Sequence, residues 1–194
     1  MRSLRTKISA AAQELYLRDG IEGFSMRKVA EMVGVSAPAI YRHFKNKEEL
    51  LNEIVIEGLK ILEDYLRPAL EAESPYERLV RMTDNYLRFA LEQPKYFDFA
   101  FLIPNPALSH VADEIARPDW DTFRLAVEQV AACIEAGVFP GDDPLETAVT
   151  IWAEVHGLIT LFRTGRFGQD AEVFRGIYRQ SVDRMLRGLR ALTD

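Results

Sequence analysis

One short stretch of the chain gathers side chains that can hold a phosphate backbone. The Tyr41 hydroxyl and the His43 ring can donate hydrogen bonds to phosphate oxygens, and Arg42 is long enough to form a bidentate pair with a guanine edge. Lys47 falls in the first turn of a helix that Asn46 is predicted to cap, so its charge adds to the positive end of that helix. Their chemistry suits contact with a phosphate backbone. The alternative is an ordinary surface histidine at His43 and a solvated charge at Lys47.

Two short helices joined by a tight turn are predicted to carry these side chains. Ser25 is placed to cap the first helix, and Gly34, which tolerates positive φ, is placed to end it. Ser36 is predicted to cap the second helix, on which Ile40 and Phe44 form an inward-facing pair at i, i+4. The residues left to face outward are Ala37, Ala39, Tyr41, Arg42 and His43.

This stretch closely resembles the helix-turn-helix of the TetR family of transcriptional repressors. The matching residues are Ala30, Gly34, Val35, Ser36, Ile40, Tyr41, His43, Phe44, Asn46, Lys47 and Leu50. The resemblance extends back through the preceding helix to Leu4. One departure is that Ala37, Pro38 and Ala39 stand where Lys, Gly and Thr are more common, which removes hydrogen-bonding side chains from the front of the reading helix.

The resemblance implies roles for individual residues. In similar proteins the positions of Tyr41, His43 and Lys47 touch the DNA backbone or base edges, and that of Arg27 can reach a guanine. It also implies a homodimer on a near-palindromic operator, and an inducer that tilts the helix beginning at Asn46. The predicted DNA-binding residues are Ser25, Arg27, Ala37, Pro38, Tyr41, Arg42, His43 and Lys47.

The charge of the chain is unevenly distributed. Residues 1–47 contain nine Lys or Arg and four Asp or Glu, a net charge of +5, so the whole-chain charge of −6 leaves −11 for the remainder. A positive head favours phosphate neutralisation, whereas an acidic body repels DNA. The alternative, basic residues that merely solvate a helix face, is disfavoured by the motif beside them.

The rest of the sequence predicts a helical body. Capping boxes, in which a cap residue and an acid three positions later satisfy backbone N–H groups, begin at Asn46, Ser74 and Asp143. Strand signals are nearly absent. We therefore predict an all-α fold of about nine helices. Residues 1–47 would form a three-helix DNA-binding head, and residues 48–194 a ligand-binding and dimerisation body.

Aromatic residues of the body predict either a ligand pocket or ordinary core. Trp152, His156 and Gly157 resemble the Trp-x-x-x-His-Gly motif of one C-terminal subgroup of TetR-like regulators, and their spacing puts the two rings on one helix face. Apolar walls with one imidazole suit a small, mainly apolar molecule. The alternative is a core Trp152 and a His156 bonded to a backbone carbonyl. The predicted ligand-binding residues are Leu62, Tyr86, Phe89, Phe101, Trp120, Phe123, Trp152 and His156.

The residue pattern gives no support for catalysis, a cofactor or a metal. Cys133 is the single cysteine, so neither an intrachain disulfide nor a zinc-ligand pattern is expected. The three histidines are dispersed, and a nucleophile elbow and a Gly-rich phosphate loop are both missing. A run of 18 apolar residues is also missing, and the basic N-terminal helix lacks a signal-peptide centre. We expect a cytoplasmic protein that has no membrane partner and is not an enzyme.

Together these features predict a ligand-responsive transcriptional repressor. It would bind a palindromic DNA operator as a homodimer through its last two helices, roughly residues 144–164 and 170–192, and be released by a small-molecule effector. The alternative is an all-α small-molecule-binding protein or helical enzyme in which the helix-turn-helix is only structural. Retention on heparin at low salt separates the two, because an acidic protein binds a polyanion only through an organised basic face.

Overall fold

The computed structural model describes residues 3–102 and 121–191, and within these ranges the chain is helical without a β-strand. Its helices are α1 (Leu4–Gly23), α2 (Met26–Val33), α3 (Ala37–Tyr41), α4 (Lys47–Leu66), α5 (Pro75–Glu92), α6 (Pro94–Phe97), α7 (Asp121–Glu135), α8 (Pro144–Arg163) and α9 (Ala171–Ala191). A 3-10 helix, Arg67–Glu71, follows α4, and a π-helical turn, Asp98–Leu102, follows α6. The predicted all-α fold is confirmed.

The chain divides into two compact units. The first unit contains the residues up to Lys60 and the segment that begins at Lys95, and the second contains Ile61–Pro94 and the described residues from 121 onward. The boundary therefore falls inside α4 rather than at residue 47. The predicted division into 1–47 and 48–194 concerns function, and it stays a prediction.

A small apolar core holds the first unit together. α1 begins at the cap Ser3, whose hydroxyl oxygen accepts the N–H of Thr6 at 3.2 Å, and it breaks at Gly20, which has a φ of 70°. A positive φ suits glycine because it lacks a Cβ. The fully buried side chains of this unit include Ile8, Ala12, Leu15, Val29, Ile40, Phe44 and Leu50.

The turn between α2 and α3 forms as its residues predict. Ser25 accepts the N–H of Lys28 at 3.2 Å, and Gly34 ends α2 in the left-handed region with a φ of 75°. Ser36 occupies the N-cap position of α3, although its side chain makes no capping hydrogen bond.

The second helix of the motif, α3, is shorter than predicted. A helical i, i+4 pair of Ile40 and Phe44 would require it to extend to residue 44. α3 ends at Tyr41, and the chain continues in a turn in which the N–H groups of His43 and Phe44 donate to the carbonyl of Ile40 at 2.9 and 3.0 Å. Ile40 and Phe44 are nevertheless both fully buried, so their predicted inward orientation is confirmed. The short helix and the following turn, residues 37–43, are called the reading segment below.

The cap of α4 differs slightly from the predicted capping box. Asn46 Oδ1 accepts the N–H of Glu49 at 2.8 Å, as expected. The Glu49 carboxylate, however, accepts the N–H of Lys45 at 2.7 Å, one residue earlier than the box requires. This shift ties Lys45, in the turn that follows the reading segment, to the first turn of α4.

In the second unit, α8 packs against α5, α7 and α9. Ser74 and Asp143 cap their helices as predicted, accepting the N–H groups of Glu77 and Leu145 at 3.2 and 2.7 Å. The reciprocal bond to the Glu77 or Glu146 carboxylate, which a full capping box requires, does not form among the described residues. α9 is fixed to α5 by the buried Tyr178, whose hydroxyl donates to the carbonyl of Thr83 at 2.8 Å, and burial raises the pKa of Tyr178 well above its usual value.

Candidate functional site

The reading segment presents its polar side chains to solvent. The Tyr41 side chain is 52% exposed, Pro38 and Arg42 are exposed, and Ala37 and His43 are half-buried. The adjoining Ile40 is fully buried, so one side of the segment is anchored while the other is open. The structure therefore gathers five of the eight predicted DNA-binding residues on a single short segment.

The other three predicted DNA-binding residues lie at helix starts. The hydroxyl of Ser25 is engaged in capping α2, and Arg27 beside it is highly exposed and pairs with Glu31, Nε to Oε1, at 3.0 Å. Lys47 begins α4, and its Nζ lies 5.6 Å from the centroid of the Phe24 ring. Exposed ion pairs contribute little stability, so the pair with Glu31 leaves Arg27 able to exchange its partner for a base or a phosphate.

Sequence reasoning missed Arg5. Its guanidinium donates to the main-chain carbonyl of His43 at 2.6 Å and to Glu53 Oε1 at 2.6 Å. These partners lie 38 and 48 residues away along the chain, so no local spacing could have revealed them. The only available signal was a basic residue one helical turn before the core position Ile8.

A hydrogen-bonded cluster of rings lies in the second unit. The Tyr86 hydroxyl and His156 Nδ1 are 3.0 Å apart, and Trp152 Nε1 donates to the Tyr86 hydroxyl at 3.4 Å. The ring centroids of Trp152 and His156 are 5.4 Å apart, and those of Phe123 and Trp152 are 5.6 Å apart. We call Tyr86, Phe123, Trp152 and His156 the aromatic cluster.

Burial sets the protonation of this cluster. It lowers the pKa of His156 and raises the pKa of Tyr86, because a charged form loses hydration in either ring. Near neutral pH the imidazole and the phenol are therefore both uncharged. A neutral His156 that accepts the Tyr86 proton at Nδ1 carries its own proton on Nε2.

The remaining predicted ligand-binding residues are placed differently. Leu62 and Phe89 are buried in the second unit, where the Phe89 ring lies 5.8 Å from that of Tyr65. Phe101 belongs to the first unit, where its ring lies 5.3 Å from that of Phe97. Trp120 lies outside the described residues. A ligand-binding role for these residues stays a prediction.

Comparison with known protein families matches both parts of the chain. Residues 8–54 match the model of the bacterial regulatory proteins of the tetR family, and residues 79–189 match the tetracyclin repressor-like C-terminal domain. The second match alone spans more than half of the chain. The chain belongs to the TetR family. It is thus a member of a family of DNA-binding transcriptional regulators.

Individual relatives of this TetR-family chain agree with the assignment. It is 32% identical over 133 residues to the class A tetracycline repressor protein from transposon 1721 of Escherichia coli, a match that covers 68% of this chain and 55% of the repressor. The chain thus spans about half the length of that relative. The tetracycline repressors of classes D and H are matched over 30% of their length.

Solved structures resemble the TetR-family chain over nearly its full length. A protein of unknown function from Rhodococcus sp. RHA1 is 26% identical, with a TM-score of 0.78 and coverage of 98% of this chain and 97% of the other. The TetR family transcriptional regulator PfmR from Thermus thermophilus is also 26% identical, with a TM-score of 0.62 and coverage of 91% and 97%.

Proposed function

We propose that this protein is a transcriptional repressor that binds a palindromic operator as a dimer and is released by a small, mainly apolar molecule. The observation that carries the proposal is the reading segment, which is anchored by the buried Ile40 and leaves the polar Tyr41 and Arg42 open to solvent. One such short segment contacts only a few base pairs, so nanomolar affinity requires two of them on two half-sites.

Footprinting tests the DNA-binding part of this proposal. The wild-type protein first selects a duplex from a random-sequence library, and nuclease protection is then mapped on that duplex. We expect a protected inverted repeat with half-sites about one helical turn apart. An asymmetric footprint over a single half-site would contradict a dimeric reader, and absence of enrichment would favour the alternative in which the helix-turn-helix is only structural.

A second copy of the chain is the partner that the last two helices suit. α8 and α9 leave the large apolar side chains of Val149, Leu161, Val173 and Ile177 exposed, with Val173 at 56%. On α8, Ala153 and Gly157 continue the stripe between Val149 and Leu161 at intervals of four residues. Apart from its chain neighbours and the backbone of its own helix, a Cβ added to Gly157 would meet no described atom within 4 Å, so there is room for a partner helix.

The length and apolar composition of α8 would also suit a membrane-spanning helix. Among the described residues it is the one helix with the length and apolar character of a membrane span. Ile151, Val155 and Ile159, however, are buried against the rest of the second unit. The exposed stripe is therefore narrower than a lipid-facing helix needs, and we assign it to the subunit interface.

The aromatic cluster is the proposed effector site. Phe123 and Trp152 supply flat apolar surfaces, while Tyr86 and His156 supply an oriented pair of polar groups. Both polar groups are uncharged near neutral pH, so a highly charged effector would lose its hydration without an ionic partner from them. We infer a mainly apolar effector that makes few polar contacts.

We further propose that the protein acts by binding alone. The described residues hold no group of three or more His, Cys, Asp or Glu side chains arranged to bind a metal. Burial raises the pKa of the Cys133 thiol to about 11, so this cysteine is a poor nucleophile at neutral pH. Assaying the purified protein with general esterase and phosphatase substrates tests this point, and turnover above background that is lost with the folded state would contradict it.

A further inference from the structure

The reading segment ends in a set of contacts that come from another part of the first unit. One guanidinium nitrogen of Arg5 donates to the His43 carbonyl at 2.6 Å, and the other terminal nitrogen donates to Glu53 Oε1 at 2.6 Å. The guanidinium carbon lies 4.2 Å from the centroid of the buried Phe44 ring. From α1, Arg5 therefore contacts both the end of the reading segment and α4.

Two further hydrogen bonds complete this arrangement. Glu49 accepts the N–H of Lys45 at 2.7 Å, and its other carboxylate oxygen lies 3.9 Å from the Arg5 guanidinium. Ser9 donates to Glu53 Oε2 at 3.5 Å, which holds that carboxylate from a second side. We call Arg5, Ser9, Glu49 and Glu53 the charged clamp.

The reading segment needs such external support. α3 has only five residues, and an isolated helix of that length is not stable in water. Carbonyl groups at and beyond a helix end also lack partners within the helix. Arg5 supplies a charged donor to the carbonyl of His43, which is a stronger interaction than a hydrogen bond between neutral groups.

We propose that Arg5 is a positioning residue for operator reading, fixing the direction in which Tyr41 and Arg42 leave the scaffold. This inference rests on the DNA-binding function proposed above. Two carboxylates, those of Glu49 and Glu53, pair with the Arg5 guanidinium and offset its positive charge, so Arg5 is poorly suited to bind a phosphate itself. The planar guanidinium of arginine can donate hydrogen bonds to a carbonyl and to a carboxylate at the same time. The ammonium group of lysine is a compact charge that lacks this planar array of donors.

The test compares Arg5→Lys, Glu53→Gln and the double variant. The probe is the duplex selected by the wild-type protein, with a shuffled duplex of equal composition as the non-specific reference. If Arg5 is a positioning residue, each single variant binds the selected duplex about tenfold more weakly, while affinity for the shuffled duplex and the salt slope stay unchanged. The double variant loses no more than either single variant, because each substitution disrupts the same set of contacts.

If Arg5 instead contacts a phosphate, Glu53→Gln should change the affinity for the selected duplex in the opposite direction. Arg5→Lys keeps the charge and would bind normally, and Glu53→Gln would bind more tightly because an opposing negative charge is gone. Either result overturns the proposal. A purely structural role would lower the thermal midpoint but leave the ratio of selected to shuffled affinity unchanged, and this result overturns it too. Should Arg5→Lys fail to fold, Glu53→Gln alone decides: weaker binding of the selected duplex supports a positioning role, and tighter binding supports a phosphate contact.

Arg18→Lys is the matched control. Arg18 also lies on α1, but it pairs with the neighbouring acid Asp19 at 2.7 Å rather than with the reading segment, so its substitution should leave both affinities unchanged. Failure of the wild-type protein to select any duplex would overturn the proposed function and this inference together. A wild-type protein that selects a duplex, with variants that match it, would overturn only the role of Arg5.

Discussion

The reading segment exposes its polar groups to solvent, whereas the aromatic cluster buries them. In the first unit, the side chains of Tyr41 and Arg42 are exposed to solvent. In the second unit, Tyr86 is buried, and its hydroxyl is bonded to Trp152 and His156. Exposed donors can exchange water for a polyanion at little cost, whereas buried donors must be satisfied within the protein or by a molecule that enters it.

Because of this difference, we expect the two regions to tolerate substitution differently. The exposed side chains of the reading segment, Tyr41 and Arg42, can be altered without exposing core, so their substitutions should act on DNA binding alone. Side chains of the aromatic cluster contribute to packing as well as to any effector site, so each test there needs a control for stability.

Charge on the exposed apolar face of α9 should have the largest effect. Val173→Asp with Ile177→Asp places two carboxylates in the proposed subunit interface without opening the core, since both side chains are exposed in the monomer. We expect a monomer whose operator affinity falls by about a hundredfold or more, because the two half-sites are no longer linked. Sedimentation equilibrium measures the mass and titration measures the affinity.

The control for this prediction is Met32→Asp with Ile56→Asp, which alters apolar residues of comparable exposure in the first unit. This control should keep the dimer mass. A dimer that survives the changes at Val173 and Ile177 would place the interface elsewhere. Val182 is unsuitable for the test because it is buried within the single chain, so a charge there would destabilise the monomer itself.

Enlarging one ring of the aromatic cluster should separate effector binding from DNA binding. Phe123→Trp adds volume beside Trp152, and we expect at least about a tenfold loss of affinity for compounds that release the wild-type protein from DNA. Operator affinity should stay within about twofold. Phe139→Trp is the control, since Phe139 is a buried ring of the same unit that packs on Tyr76. If the wild type, Phe123→Trp and Phe139→Trp bind the effector equally well, the aromatic cluster is part of the ordinary core and not an effector site.

Removing the proposed phosphate contact of Lys47 should change the salt dependence of DNA binding. Lys47→Ala is expected to reduce the slope of log affinity against log salt by about one, and to weaken selected and shuffled duplexes about equally. Lys60→Ala is the control, because Lys60 is an exposed lysine further along the same helix. Indistinguishable slopes for Lys47→Ala and the wild type would exclude a phosphate contact at Lys47.

The smallest effect concerns the pH dependence of stability. Burial lowers the pKa of His156 below its usual 6.5, so the unfolded chain binds a proton more readily than the folded one. The contribution of His156 to the free energy of unfolding is therefore complete above about pH 6.5 and is lost as the pH falls through the window below it. The amide oxygen of Asn can replace Nδ1 as an acceptor, which makes His156→Asn the suitable comparison.

Denaturant unfolding at several pH values measures this difference. The stability of the wild type relative to His156→Asn should be constant from about pH 7 upward and should decrease as the pH falls below about 6.5. His43 and His110 are present in both proteins and cancel in the comparison. A difference that does not change with pH would show that His156 titrates alike in the folded and unfolded chains.

The sequence alone determined much of the local structure of this protein. The caps at Ser25, Ser74 and Asp143 and the left-handed end at Gly34 were predicted correctly, because each depends on atoms only a few residues apart. The buried pair Ile40 and Phe44 was also correct, since apolar spacing reports which side of a segment faces the core. These local signals were sufficient for the all-α fold and for the helix-turn-helix.

Only the tertiary structure decided which distant groups meet. Tyr86 and His156 are 70 residues apart in the chain, and Arg5 and His43 are 38 apart, so their hydrogen bonds depend on how helices pack rather than on spacing. Phe101 was grouped with the effector residues because it lies in an aromatic-rich stretch of the sequence, and the fold places it in the first unit. A local pattern fixes the direction of a side chain on its own helix, but its partner is set by the packing of other helices, which no single segment encodes.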